Sequence, residues 1–142
     1  MTPEQLVRKV TAMTGYTQAA GVEVVSAEAG RVSLSLAKKP ELLQFNGFFH
    51  GGVVSGLADH AAGAAAAAAA TALPLGKIAV TVDLHVNYLA PAKGQTLLAK
   101  ARTLQVGSTI CVVLSSSKPT RLRVSDLARW QTSPCAWSTC PC

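Results

Sequence analysis

The chain has 142 residues, of which 49% are hydrophobic and 14% are charged, and its formal net charge is +6. This composition predicts one domain with an apolar core and excludes a disordered chain. The modest positive charge suits an anionic small molecule, whereas a nucleic-acid-binding surface needs clustered basic residues and a matching motif.

The start of the chain and its longest apolar stretch bear on location. The N-terminus lacks the apolar region of a signal peptide, so we expect a cytoplasmic protein. The stretch from Leu42 to Gly76 is mostly Ala and Gly, with Asp59 and His60 near its centre. A charged residue at the centre of a spanning helix costs about 2.5–3.5 kcal/mol, so we predict no membrane helix. Because three of the four cysteines lie within the last eight residues, we expect no disulfide framework.

The first third of the chain predicts one helix and two strands. Apolar residues at helical spacing predict a helix over residues 3–14. Strands are predicted at 22–25 and 31–36, and Ala29-Gly30 between them predicts a hairpin. Residues 38–49 contain Pro, Asn and Gly, which is typical of a loop.

The rest of the chain predicts one long helix and three strands. Alanine is the best helix former, and residues 64–70 are all alanine, so a helix is predicted over 53–72. Alternating apolar residues predict a long strand at 77–89, followed by strands at 95–106 and 108–115. One long helix among runs of strands indicates the α+β class, with an antiparallel sheet curled around the Ala-rich helix.

A single carboxylate stands out in the long helix. Asp59 is the only formally charged side chain between Glu41 and Lys77. A carboxylate within an apolar helix is costly unless it is paired or functional. The alternative is an Asp that faces water, but the neighbouring turns offer no polar face for it to join. We therefore predict Asp59 as the catalytic group.

The start of the same helix predicts an oxyanion site. The first N–H groups of a helix lack intrahelical partners and lie at the positive end of its dipole, and the glycines Gly51 and Gly52 permit close approach of a ligand. An ordinary loop-to-helix junction is the alternative. Gly51 and Asp59 are eight residues apart, about 12 Å along a helix. One carbonyl carbon cannot be close to both, so the two residues are unrelated or the carboxylate reaches Gly51 of another subunit.

Several neighbouring residues are weaker candidates. His50 could bind substrate or orient the loop, and Gln44 could polarise a carbonyl or simply lie at the surface. Phe48 and Phe49 could line an acyl pocket or belong to the core. We assign Asn46, with Phe48 and Gly52, to substrate binding. The C-terminal cysteines offer at most three clustered ligands with no nearby His, so neither a metal nor a cofactor is predicted.

Together these segments resemble a known family. Asn46–Gly52, Leu57–Asp59 and Thr81–Gly94 are similar to the PaaI-like acyl-CoA thioesterases of the hotdog superfamily. The resemblance covers roughly residues 5–113. Its most specific features are His-Gly-Gly, an Ala-Asp pair nine residues after the His, and a strand that ends in Tyr-Leu-Ala-Pro-Ala.

The resemblance implies both a fold and a set of roles. It implies a sheet wrapped around the long helix and hydrolysis of acyl-CoA thioesters without a metal. The Gly51 N–H would stabilise the oxyanion, and Asp59 would act as nucleophile or general base from the partner subunit. Gln44 falls on the family's Asn or Gln, and Thr81 on a Ser or Thr credited with placing water. The family forms homodimers, often paired into homotetramers with shared sites.

The chain departs from the family pattern near its end. We predict a hotdog thioesterase domain over residues 1–113 and an atypical tail over 114–142, produced by a reading-frame change or by a lineage-specific extension. A tail segment such as Arg121 to Leu127 would then have to replace the final strand. Two other functions stay open. A hotdog dehydratase or hydratase needs a His-acid pattern that is not found, and a non-catalytic acyl-CoA sensor has no need for Asp59.

Overall fold

A computed structural model describes residues 1–70 and 79–120 of the chain. Within these ranges the four strands form one antiparallel sheet in the order β1-β2-β3-β4, curled around a long helix, which confirms the predicted α+β class. In chain order the elements are α1 (Pro3–Thr11), α2 (Tyr16–Ala20), β1 (Val22–Glu28), β2 (Arg31–Ala37), a 3-10 turn (Pro40–Leu42), α3 (Gly51–Ala69), β3 (Thr96–Val106) and β4 (Cys111–Thr120).

The core lies between α3 and the inner face of the sheet. Leu34 and Leu97 are completely buried, as are Ala61, Ala65 and Ala68 along one side of α3. Because alanine side chains are short, the sheet can approach this helix closely. The predicted long helix is confirmed, although it begins at Gly51 rather than at residue 53.

The first hairpin is confirmed, and its strands are longer than predicted. Glu28 pairs with Arg31, so the turn consists of Ala29 and Gly30. Gly30 has a φ of 72°, in the left-handed region that favours glycine. The first helix, by contrast, ends at Thr11 rather than at residue 14, and α2 was not predicted because five residues are too short for a periodic pattern.

The strand predicted at 77–89 is wrong where the structure describes it. Residues 79–89 belong to no helix or strand, and all of them are exposed. Val82, for example, has a relative exposure of 85%. Alternation shows which side chains would share a face, but a strand also needs a neighbour for its N–H and C=O groups, and none of the described strands pairs with this segment. Residues 77 and 78 lie outside the described ranges.

The last described strand extends beyond its predicted end. β4 begins at Cys111 and pairs with β3 as far as Thr120, five residues past the predicted end at residue 115. The domain boundary at Leu114 remains a prediction. Residues 121–142, with the segment proposed as a replacement strand and three of the cysteines, lie outside the described residues.

Two serines on β4 face the core, and their hydroxyl groups have no hydrogen-bond partner in the part of the chain that the structure describes. Ser115 and Ser117 pair with Ala101 and Ala99, two buried residues of the inner sheet face. The hydroxyl oxygens of both serines are buried, and neither has a partner among the described residues. An unsatisfied buried hydroxyl lowers stability, because its bonds to water are lost on folding.

Replacing Ser117 by Ala is therefore expected to stabilise the fold. Removing the unpaired hydroxyl should raise the free energy of unfolding by about 1 kcal/mol and the Tm by about 4 °C, measured by thermal and urea denaturation. Ser116→Ala, on the exposed face of the same strand, is the matched control and should change stability by less than about 0.5 kcal/mol. A lower Tm for Ser117→Ala than for Ser116→Ala would show that the Ser117 hydroxyl is satisfied.

Candidate active site

A tight loop directly precedes the start of α3. The Gln44 N–H donates to the Phe48 carbonyl (2.9 Å), and the Gly47 N–H donates to the Gln44 carbonyl (2.8 Å). Gly47 has a φ of 77°, which a side chain would disfavour. At the base of the loop the His50 N–H donates to the Leu42 carbonyl (2.9 Å). These bonds fix the position of His50, and therefore of the first turn of the helix.

His50 caps α3. Its Nδ1 accepts the Gly52 N–H at 3.0 Å, and its carbonyl accepts the N–H groups of Val53 and Val54 at 2.9 and 3.1 Å. Of the two predicted roles, this contact corresponds to orienting the loop. The Gly51 N–H has no acceptor among the described residues, because it is the first N–H of the helix. Within residues 1–70 and 79–120 it is therefore an unused donor at the positive end of the dipole.

Tyr88 contacts Gly51 through both its hydroxyl group and its ring. Its hydroxyl donates to the Gly51 carbonyl at 2.9 Å, and a Cβ atom at Gly51 would lie 3.5 Å from the phenol ring. Sequence reasoning found no role for Tyr88 beyond its place in the family motif. It is the only Phe, Trp or Tyr between residues 79 and 90, but its contact with a residue 37 positions earlier leaves no local signal.

Asp59 lies half-buried in the third turn of α3 and is hydrogen-bonded. Its Oδ1 accepts the Thr81 hydroxyl at 2.6 Å. The Nε2 atom of the next residue, His60, lies 3.0 Å from the Thr11 hydroxyl of α1. Burial lowers the pKa of His60, and the nearby Asp59 carboxylate offsets this only in part. His60 is therefore a neutral neighbour near pH 7 rather than a cation that pairs with Asp59.

The remaining predicted residues lie in the loop. The Gln44 Oε1 accepts the Asn46 N–H (3.1 Å), while the Gln44 side-chain nitrogen has no acceptor in the part of the chain described. Asn46 is exposed. Phe48 is half-buried beneath the Lys93 ammonium, 4.9 Å from the ring centroid, whereas Phe49 is a core residue with 3% exposure.

The fold joins some predicted residues and separates others. His50, Gly51 and Gly52 form one cap, and Thr81 reaches Asp59. Gly51 and Asp59 lie on one helix, about 12 Å apart along its axis. No group of three or more His, Cys, Asp or Glu side chains within residues 1–70 and 79–120 could hold a metal ion, and no helix there is long and apolar enough to span a membrane.

Comparison with known proteins connects this geometry to one family. The profile of the thioesterase superfamily matches residues 46–114. A proposed esterase of Halobacterium salinarum is 36% identical over 95 residues, which are 65% of this chain but only 62% of the relative. A 1,4-dihydroxy-2-naphthoyl-CoA hydrolase of Listeria monocytogenes is 30% identical over 97 residues, 67% of this chain and 75% of the relative.

Solved structures agree with the sequence matches. A thioesterase family protein of Silicibacter pomeroyi superposes with a TM-score of 0.72 at 28% identity, over 82% of this chain and 84% of that protein. A thioesterase protein of Streptococcus pneumoniae, solved with coenzyme A, gives a TM-score of 0.59 at 25% identity, over 68% of this chain and 71% of that protein.

Proposed function

The chain belongs to the thioesterase superfamily and has its hotdog fold, and we propose that it is a PaaI-like acyl-CoA thioesterase. One observation carries the proposal. The Gly51 N–H, which has no acceptor in the described part of the chain, begins the helix whose only formally charged side chain is Asp59. An oxyanion donor and a carboxylate are the groups that hydrolysis of an acyl thioester requires. The CoA-hydrolase name of the Listeria relative and the coenzyme A in the Streptococcus structure support the choice of substrate.

The proposed chemistry begins at the thioester carbonyl. The carbonyl oxygen accepts the Gly51 N–H, which stabilises the negative charge that develops during attack. Asp59 then attacks the carbonyl carbon directly, or removes a proton from the water that attacks it. After direct attack, the C–S bond breaks, the CoA thiolate leaves and takes a proton from solvent, and water then hydrolyses the acyl–Asp59 anhydride to the carboxylic acid and free Asp59. When water attacks instead, the C–S bond of the adduct breaks and the CoA thiolate takes up the proton that Asp59 removed. The Thr81 hydroxyl orients one Asp59 oxygen through its hydrogen bond, which leaves the other oxygen available.

The proposed site is shared between two subunits. Because Gly51 and Asp59 of one chain are about 12 Å apart along α3, the substrate carbon cannot contact both. In a symmetric dimer the Gly51 of one subunit can face the Asp59 of the other, and two equivalent sites result. We therefore propose a homodimer, alone or paired into a tetramer. Gln44, Phe48 and Asn46 would border the acyl group at the loop, and the intracellular substrate implies a cytoplasmic enzyme.

A thiol-release assay tests the proposed function. Purified protein would be offered a panel of acyl-CoA thioesters with aromatic, medium-chain and short acyl groups, and free CoA would be measured. A rate well above the spontaneous one for at least one thioester is expected. Hydration of an enoyl-CoA without thiol release would indicate the hydratase alternative. Binding of acyl-CoA without turnover would indicate a sensor, and either result would overturn the proposal.

The shared site predicts that two inactive variants complement each other. Gly51→Pro removes the donor, and Asp59→Asn removes the carboxylate. A mixed dimer holds one site in which both groups are intact. After exchange at equal amounts, about half of the dimers are mixed, so about a quarter of the parent rate should return. Labelled subunits would confirm exchange. If exchange occurs and no rate returns, each site lies within a single chain.

A further inference from the structure

The two peptide groups that flank Gly51 contain four backbone polar groups, and three of these have partners in the structure. The His50 carbonyl accepts two N–H groups of the first helical turn, at 2.9 and 3.1 Å. The Gly51 carbonyl accepts the Tyr88 hydroxyl at 2.9 Å. The Gly52 N–H donates to the His50 Nδ1 at 3.0 Å. The fourth group, the Gly51 N–H, has no acceptor among the described residues, so the unused donor lies between polar groups that are all bonded.

The peptide group between Gly51 and Gly52 needs these bonds more than a later turn of α3 would. Glycine is the least favourable helix residue after proline, because its backbone loses the most conformational freedom. The first turn of a helix also has no preceding turn to hold it. A carbonyl oxygen has two lone pairs, so the Gly51 carbonyl can accept the Tyr88 hydroxyl in addition to the N–H four residues later. Tyr88 therefore adds a bond where the helix is weakest.

Tyr88 is itself held close to the start of α3. Four residues after it, the Ala92 carbonyl accepts the Phe49 N–H at 3.1 Å. Pro91, which lies between them, has a fixed φ. The phenol ring packs against Gly51, since a Cβ atom there would lie 3.5 Å from the ring carbon that carries the hydroxyl. The segment from Tyr88 to Ala92 therefore contacts α3 and its preceding loop at two points, although it belongs to no described helix or strand.

We propose that Tyr88 is a positioning residue for the Gly51 N–H. This inference rests on the proposed function, since it concerns the donor that would stabilise the oxyanion. The Tyr88 hydroxyl fixes the Gly51 carbonyl and His50 fixes the Gly52 N–H, so one peptide group is restrained at both of its polar atoms. The Gly51 N–H then keeps one direction before and during attack. An oxyanion donor that needs no reorganisation stabilises the transition state best. Tyr88 contacts no reacting atom and acts only through Gly51.

Removing the Tyr88 hydroxyl tests the inference. Tyr88→Phe keeps the ring against Gly51 and deletes only the hydrogen bond. It should lower kcat by about three- to tenfold, the usual effect of one neutral hydrogen bond. KM should stay within about twofold, because the groups that bind substrate are unchanged. A kcat within about twofold of the parent would overturn the inference.

The other tyrosine of the chain provides the matched control. Tyr16 is similarly exposed, 53% against 57% for Tyr88, and its hydroxyl lies beside Gly56 of the same helix. Tyr16→Phe makes the same chemical change away from the Gly51 peptide groups. It should leave kcat and KM within about twofold of the parent. Equal losses of kcat in Tyr16→Phe and Tyr88→Phe would contradict a specific role for Tyr88.

A double-mutant cycle distinguishes positioning from a general structural role. If Tyr88 acts through the Gly51 N–H, its hydroxyl has nothing left to position once Gly51→Pro has removed that N–H. Adding Tyr88→Phe to Gly51→Pro should therefore lower kcat by less than about twofold further. A structural effect is independent of the donor, so a further loss as large as that in the parent background would overturn the inference.

Backbone motion at Gly51 tests the inference without any substrate. With ¹⁵N-labelled glycine, the amide order parameters of Gly51 and Gly52 should be near about 0.85 in the parent and fall by about 0.1 or more in Tyr88→Phe. Gly63 of the same helix should be unchanged. Equal order parameters in parent and variant would overturn the inference. If the parent protein hydrolyses no acyl-CoA, the proposed function fails instead, and the order parameters still decide whether Tyr88 fixes this peptide group.

Discussion

Replacing Asp59 by Asn is expected to lower kcat by about 10²–10⁴-fold, whether the carboxylate attacks or acts as base. The two side chains have nearly the same shape, so the helix should not be disturbed. The amide oxygen of the introduced asparagine can still accept the Thr81 hydroxyl, which preserves the contact seen at Oδ1. What is lost is the negative charge that makes the group a nucleophile or a base. Steady-state rates on the best acyl-CoA, with Tm as a check on folding, measure the effect.

A second aspartate provides the control for this change. Asp83 lies on the same irregular segment as Thr81, and its side chain is 76% exposed beside His85. Asp83→Asn makes the same chemical change without touching α3 and should leave kcat within about twofold. A rate for Asp59→Asn within a few-fold of the parent would remove Asp59 from the mechanism. Loss of activity in both variants would point instead to a general effect of charge.

The elements that the sequence predicted well are those with local signals. The alanine run at 64–70 predicted α3 because helix propensity sums along a segment. Ala29-Gly30 predicted the first hairpin because a short loop that needs a positive φ favours glycine. The segment 79–89 was mistaken for part of a strand, since its alternation is as regular as that of β2. Pairing depends on which strand lies alongside, and this information is not local.

In the candidate site, too, residues with a local signal could be predicted, whereas contacts between residues far apart in the sequence could not. Gly51 and Asp59 could be singled out because a glycine pair at a helix start and a lone carboxylate in an apolar helix are unusual in any context. The separation of the two residues followed from helix geometry alone. The contacts of Tyr88 with Gly51 and of Thr11 with His60 could not be predicted, because they join residues 37 and 49 positions apart.

Two substitutions at Gly51 distinguish the contribution of its N–H to catalysis from the contribution of its small size. Proline has no N–H, and it is favoured at the first position of a helix, which Gly51 occupies. The residue before a proline must be extended, and His50 already is, with φ −63° and ψ 140°. Alanine keeps the N–H and adds only a methyl group, which would lie 3.5 Å from the Tyr88 ring, an ordinary contact distance.

Gly51→Pro is expected to lower kcat by about 10²–10³-fold, the usual cost of losing one oxyanion donor. Gly51→Ala should stay within about tenfold of the parent, because the donor remains. Helix content by circular dichroism and the Tm should be similar for the two variants. If Gly51→Pro also stays within about tenfold of the parent, the Gly51 N–H does not stabilise the transition state. Equally severe losses of kcat in both variants would mean that the site requires the absence of a side chain at Gly51, beside Tyr88, rather than the Gly51 N–H.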